Sequence, residues 1–143
     1  MTSTPDPLRG GVFLDTSGLF AALDRSSDRH SEVAAEFQGL LRDGVPLVTT
    51  DAVVMELHGL TLGRRGPAIA LEALERILGS PRVRLVATGP GAIRSAVAFL
   101  RTRPDRRISL VDALSFAAMH EHELETALAI DSDFVAEGFV TVP

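Results

Sequence analysis

The chain has 143 residues, 45% of them hydrophobic and 23% charged, with a formal net charge of −5. That balance fits a single soluble globular domain with a sizeable core. The absence of cysteine excludes disulfides, thiol catalysis and cysteine-bound zinc, and no apolar run approaches the roughly 18 residues a membrane helix needs.

Residues 1–10 carry Pro5 and Pro7 and lack the apolar centre of a signal peptide. They read as a flexible tail before one domain over 11–143, in a cytoplasmic protein without membrane association. Val12-Phe13-Leu14 is a buried-type strand that stops at Asp15, and Thr16-Ser17 opens a helical pattern through Leu19, Phe20 and Leu23. Ser26-Ser27-Asp28 starts a helix reaching about Leu41, with Val33, Phe37, Leu40 and Leu41 inward, and Gly44 and Pro46 end it. Leu47–Thr49 is a second strand. Thr50 or Asp51 caps a helix that buries Val53, Val54, Leu57 and Leu60 and stops near Gly63. Pro67 stands at the first turn of a helix over about 68–78.

Val83–Val86 is a third strand. A helix follows Gly89-Pro90-Gly91, with Ile93, Val97 and Leu100 inward, and ends before Pro104. Ser109 caps a helix to about His122. Ala127–Ile130 is a fourth strand, residues 131–136 a turn or short helix, and Phe139–Val142 a last strand. Alternating short apolar strands and amphipathic helices specify an α/β fold: a parallel sheet of four to five strands, helices on both faces, right-handed crossovers.

Charge is unevenly spread. Residues 82–107 hold seven arginines against one acid, Asp105, whereas from Ile108 onward there are seven acids and no Lys or Arg. A basic segment beside an acidic one suits a phosphate track leading to a metal pocket; the arginines could equally decorate solvated helix faces. Arg106 and Arg107, just before the Ser109 helix, are the best-placed contacts for a phosphodiester backbone.

Four acids occupy comparable positions. Asp15 ends the first strand and Asp131 the fourth, Glu56 borders a buried helical stripe, and Asp112 lies in the first turn of the Ser109 helix. Ligand crevices in open α/β sheets lie outside the carboxyl ends of the strands. Each acid also has a plain structural reading. Asp15 could cap its helix, Asp112 completes a capping-box spacing with Ser109, Asp131 could begin a turn, and Glu56 could be a surface residue. One shared cause explains all four better than four coincidences, because clustered carboxylates repel unless a cation joins them. An oxygen-only donor set favours Mg²⁺ or Mn²⁺. Asp133 offers a fifth carboxylate, so Asp131 and Asp133 are both candidates for the ion.

Four segments then carry a family resemblance: Phe13-Leu14-Asp15-Thr16-Ser17, Glu56 within Thr50–Leu57, Ser109–Ala117 around Asp112, and Asp131-Ser132-Asp133-Phe134 before Gly138-Phe139. In this order and spacing the chain resembles PIN-domain proteins, and among them VapC-type toxin ribonucleases of bacterial toxin–antitoxin pairs. The resemblance implies that Asp15, Glu56, Asp112 and Asp131 form an acidic quartet around Mg²⁺ or Mn²⁺. It implies metal-dependent hydrolysis of RNA, a cognate antitoxin partner and a homodimer. Thr16, Ser17 and Ser109 would fix carboxylates or touch phosphate. Many relatives carry a hydroxyl two positions before the fourth acid, where this chain has Ala129.

Rival readings are weaker. A receiver-type regulator uses a lysine, and the chain has none; a haloacid-dehalogenase-type phosphatase needs a second Asp where Ser17 stands. A PIN-type module that binds RNA or a partner without turnover is the remaining alternative. His120 and His122 suit a helix C-terminus. The stripe Leu71, Leu74, Ile77, Leu78 reads as core, or, by the resemblance, as a dimer or antitoxin groove.

Overall fold

The computed structural model describes residues 3–143. Strand β1 (Val12–Leu14) leads into α1 (Thr16–Leu23) and α2 (His30–Asp43). Next come β2 (Leu47–Thr50), α3 (Asp51–Arg65), α4 (Pro67–Leu78), β3 (Val83–Val86) and α5 (Gly89–Arg101). The chain finishes with α6 (Leu110–Glu121), β4 (Thr126–Leu128), α7 (Asp133–Ala136) and β5 (Val140–Val142). All strand pairs are parallel, in the order β3-β2-β1-β4-β5. The chain winds outward from β1 to β3, then crosses back to place β4 on the other side of β1. The carboxyl ends of β1 and β4 therefore flank a topological switch point, where ligands bind in open α/β sheets.

Every residue of β1 and β2 is buried, which explains the apolar run of β1 and the Leu47-Val48 start of β2. The buried Thr49 hydroxyl donates to the Leu14 carbonyl at 2.8 Å, satisfying a polar group in the sheet centre. Phe13, Phe116 and Phe134 are nearly fully buried, and the Phe116 and Phe134 rings meet edge-on with centroids 4.9 Å apart. Phe116 lies one turn after Asp112 and Phe134 directly follows Asp133, so this aromatic cluster anchors the two elements that present those acids.

Several boundaries differ from the sequence expectation. Helix α2 starts at His30 because Asp24 takes up the amide and hydroxyl of Ser26 in a turn. Helix α3 continues through Gly63 and stops at Gly66, whose φ of +84° is the left-handed backbone that glycine adopts freely. Strand β4 ends at Leu128, two residues early, because the Ile130 amide turns onto Ser17 Oγ at 3.0 Å. On α5 the expected inward residues Ile93 and Val97 are exposed, and Ala96 is the buried one. Ala96 clusters with Ala52, Ala113 and Leu114, a packing made by small side chains rather than large ones. On α4, Ile77 is buried and Leu74 partly so, but Leu71 and Leu78 are exposed, so only part of that stripe is core. Of the expected tail, residues 1 and 2 lie outside the described residues. Farther along it, Asp6 Oδ2 lies 2.7 Å from His122 Nδ1 and Leu8 packs against the core.

Candidate active site

Asp15 is the N-cap of α1, as the plain reading held: its Oδ2 accepts from the Ser17 amide at 3.1 Å and from the Ser17 hydroxyl at 2.5 Å. Capping does not exhaust it. The residue is 2% exposed, and its Oδ1 is buried with no hydrogen-bond partner. An unpartnered buried carboxylate oxygen is costly unless a proton or a cation satisfies it. Asp112 is likewise held in its helix start, where the Ser109 hydroxyl accepts from the Asp112 amide at 3.0 Å.

These two acids line one cleft with Glu56 and Asp131, alongside Thr16, Ser17, Leu60 and Ser109, in a volume of about 400 Å³. The four acids thus line one cleft, each brought there by a different segment. Oxygens of Asp112, Asp131 and Asp133 all lie within 4.8 Å of one another, a spacing suited to sharing one metal ion among three acids. Asp112 and Asp131 belong to both groups. Asp131 Oδ1 accepts the Asp133 amide at 2.9 Å, so the turn itself orients the fourth acid.

The electrostatics match the crowding. Burial pushes the Asp15 carboxyl up to about 6, opposed by its bonds to Ser17 and reinforced by the negative charge of Asp112. Burial also pushes Asp112 up to about 6, with further contributions from Asp131 and Glu56. A divalent cation reverses this pressure by favouring the ionised forms. The residues present therefore fit a hard cation: an all-oxygen set, one oxygen without a partner, and charges that raise one another's pKa.

Ser17 is the residue that ties the site together. Besides its bond to Asp15, its Oγ accepts the Ile130 amide at 3.0 Å and lies 3.4 Å from the Asp131 amide. It joins the exit of β1 to the exit of β4. Thr16 Oγ1 is buried without a partner.

The basic residues are arranged differently from the expectation. Arg106 does not stand free for phosphate: its guanidinium donates to Asp133 Oδ1 at 3.0 Å and also to Glu137 Oε1. Arg103 pairs with the same Glu137 at 2.8 and 3.0 Å and lies over the Phe99 ring at 4.0 Å. Arg107 is exposed. Sequence reasoning missed Glu137 because its partners lie 31 and 34 residues away, with no periodic signal linking them.

Comparison with known proteins is consistent across the chain. The PIN domain family model matches residues 12–138. The 23S rRNA-specific endonuclease VapC20 of Mycobacterium tuberculosis is 34% identical over 131 residues, 92% of this chain and 97% of the relative. The crystal structure of M. tuberculosis VapC20, described as a sarcin-ricin loop cleaving toxin, superposes with a TM-score of 0.82 at 31% identity, covering 93% of this chain and all (100%) of that one. FitAcB from Neisseria gonorrhoeae superposes with a TM-score of 0.63 at 21% identity, covering 92% and 96% of the two chains, a likeness of fold alone.

Proposed function

The chain belongs to the PIN domain family, and on that premise we propose that it is a ribonuclease toxin that hydrolyses phosphodiester bonds in large-subunit ribosomal RNA. The observation that carries the reading is Asp15 Oδ1, buried and unpartnered in a cleft it shares with Glu56, Asp112 and Asp131. Asp15, Asp112 and Asp131 would hold Mg²⁺ or Mn²⁺, with Asp133 beside them. Such an ion supplies charge neutralisation at a phosphate oxygen and acidifies a bound water.

The protein's own residues do the rest. Ser17 and Ser109 fix Asp15 and the start of α6, so the carboxylates are preorganised. Glu56 faces the same cleft from α3 and is placed to orient the attacking water. Cleavage then leaves 5′-phosphate and 3′-hydroxyl ends. Arg107 is the exposed basic residue beside the α6 entrance and contacts the RNA backbone.

The rRNA target follows the specificity carried in the name of VapC20, to which the chain is similar along almost its full length. A cognate antitoxin, a homodimer and a cytoplasmic setting complete the reading. No helix among the described residues is long and apolar enough to cross a membrane.

The test is incubation of the purified chain with a sarcin–ricin stem-loop RNA in Mg²⁺, Mn²⁺ or EDTA, followed by end-group analysis. Metal-dependent cuts with 5′-phosphate ends support the proposal. Stabilisation by metal without any cutting favours a binding module instead.

A further inference from the structure

Next to the acidic cleft lies a second, larger cavity of about 620 Å³, lined among others by Phe20, Asp24, Ser27, Arg29, Arg64 and Arg65. It shares Ser17 and Leu60 with the acidic cleft, so the two adjoin. Helix α3 connects them: Glu56, Leu60 and Arg64 follow one another at four-residue intervals and so lie along one face. At 1.5 Å per residue, Arg64 stands roughly 12 Å along the helix from Glu56.

The chemistry changes sign along that face. Asp24 is buried at the cavity wall, where it accepts from Ser26 and pairs with Arg65 at 3.3 Å. Arg29 is engaged by Glu32 at 2.8 Å. Arg64 makes no carboxylate pair among the described residues; its guanidinium lies over the Phe20 ring, 5.2 Å from the centroid. A cation held on an aromatic ring and opening onto a cavity is a platform for a nucleotide: Phe20 fixes the guanidinium for a phosphate, and the base lies against the apolar surface of Leu60 and Ile130.

We propose that this cavity is a substrate subsite that holds an unpaired nucleotide flanking the scissile phosphate, with Arg64 as its phosphate contact. The inference rests on the ribonuclease reading above and adds to it a defined track for the RNA strand. Arg64 works by binding and takes no part in the bond-breaking step.

The test measures binding of a fluorescein-labelled sarcin–ricin stem-loop RNA in Mg²⁺, over a salt series, by proteins carrying Asp15→Asn to prevent cutting. Adding Arg64→Ala is expected to weaken binding at least fivefold and to flatten the log–log salt slope by about 0.7, the loss of one single-strand phosphate contact. Arg64→Lys restores most of the slope. Ser27→Asp, which brings a carboxylate into the cavity from a different segment, weakens binding in the same way. In the cutting protein, Arg64→Ala raises KM and leaves kcat within about twofold. Unchanged affinity and slope in both Arg64→Ala and Ser27→Asp, in a protein whose parent cuts this RNA, overturn the subsite and leave the cavity to a protein partner. A parent that neither binds nor cuts RNA overturns the ribonuclease reading, and the subsite with it.

Discussion

The Ser17 hydroxyl donates to Asp15 Oδ2 at 2.5 Å, and Ser17 Oγ in turn accepts the Ile130 amide at 3.0 Å. One side chain thus fixes the first acid and terminates β4 just ahead of Asp131. Ser17→Ala removes both bonds and is expected to cost about 1–3 kcal/mol in denaturant unfolding. Because the Ser17 bonds hold the Asp15 pKa down against burial, their loss also moves the acid limb of the pH–rate profile upward. A stability loss with an unmoved acid limb would confine Ser17 to a structural role.

Gly18 makes that latch geometrically possible. A Cβ there would sit 2.2 Å from the Leu128 carbonyl oxygen, a backbone atom that cannot swing aside. Gly18→Ala is therefore expected to push α1 off β4, destabilise the fold by about 1–3 kcal/mol and lower cleavage together with it. Thermal melting and a rate measurement on the same sample check the coupling.

The raised pKa values of Asp15 and Asp112 set a pH dependence. Both rise from 3.8 to about 6 on folding, so the folded protein holds these protons more tightly than the unfolded chain. Their contribution to the stability of the metal-free protein is complete below the unfolded value and is lost as pH climbs through about 6. Metal binding needs the ionised forms, so the rise in melting temperature caused by Mg²⁺ should be small near pH 5 and large near pH 7.5. A Mg²⁺ effect that is the same at both pH values would show that these two carboxyls are not ligands.

Arg106 neutralises Asp133 beside the Asp112–Asp131 pair. Arg106→Ala leaves that carboxylate unpaired in the cluster and should tighten Mn²⁺ binding severalfold by calorimetry. Unchanged affinity places Asp133 outside the ion's reach and leaves Asp131 as the ligand from that turn.

The fold was legible because β1 and the start of β2, Leu47-Val48, are buried and apolar, and because Thr50, Pro67 and Ser109 mark helix starts by their own chemistry. Asp15 and Asp112 were legible because the one directly follows a strand and the other opens a helix; Glu56 showed itself only as a polar residue at the edge of a buried helical stripe, and Asp131 as the acid after an apolar run. What pattern reading could not supply was long-range pairing. Ile130 looked like strand until Ser17, 113 residues earlier, captured its amide, and Arg106 looked like a phosphate ligand until Glu137 and Asp133 took it. On α5 the pattern pointed to the large residues Ile93 and Val97, whereas the close approach to α6 selects Ala96.

The most direct test is Mn²⁺ titration of the parent, Asp15→Asn and Asp112→Asn, each also melted without metal. A shared ion predicts saturable binding by the parent and its loss in both variants. Both variants should nonetheless melt at or above the parent in EDTA at neutral pH, because each removes a buried, repelled charge. Parent-like Mn²⁺ affinity in either variant would contradict convergence of these acids on one cation.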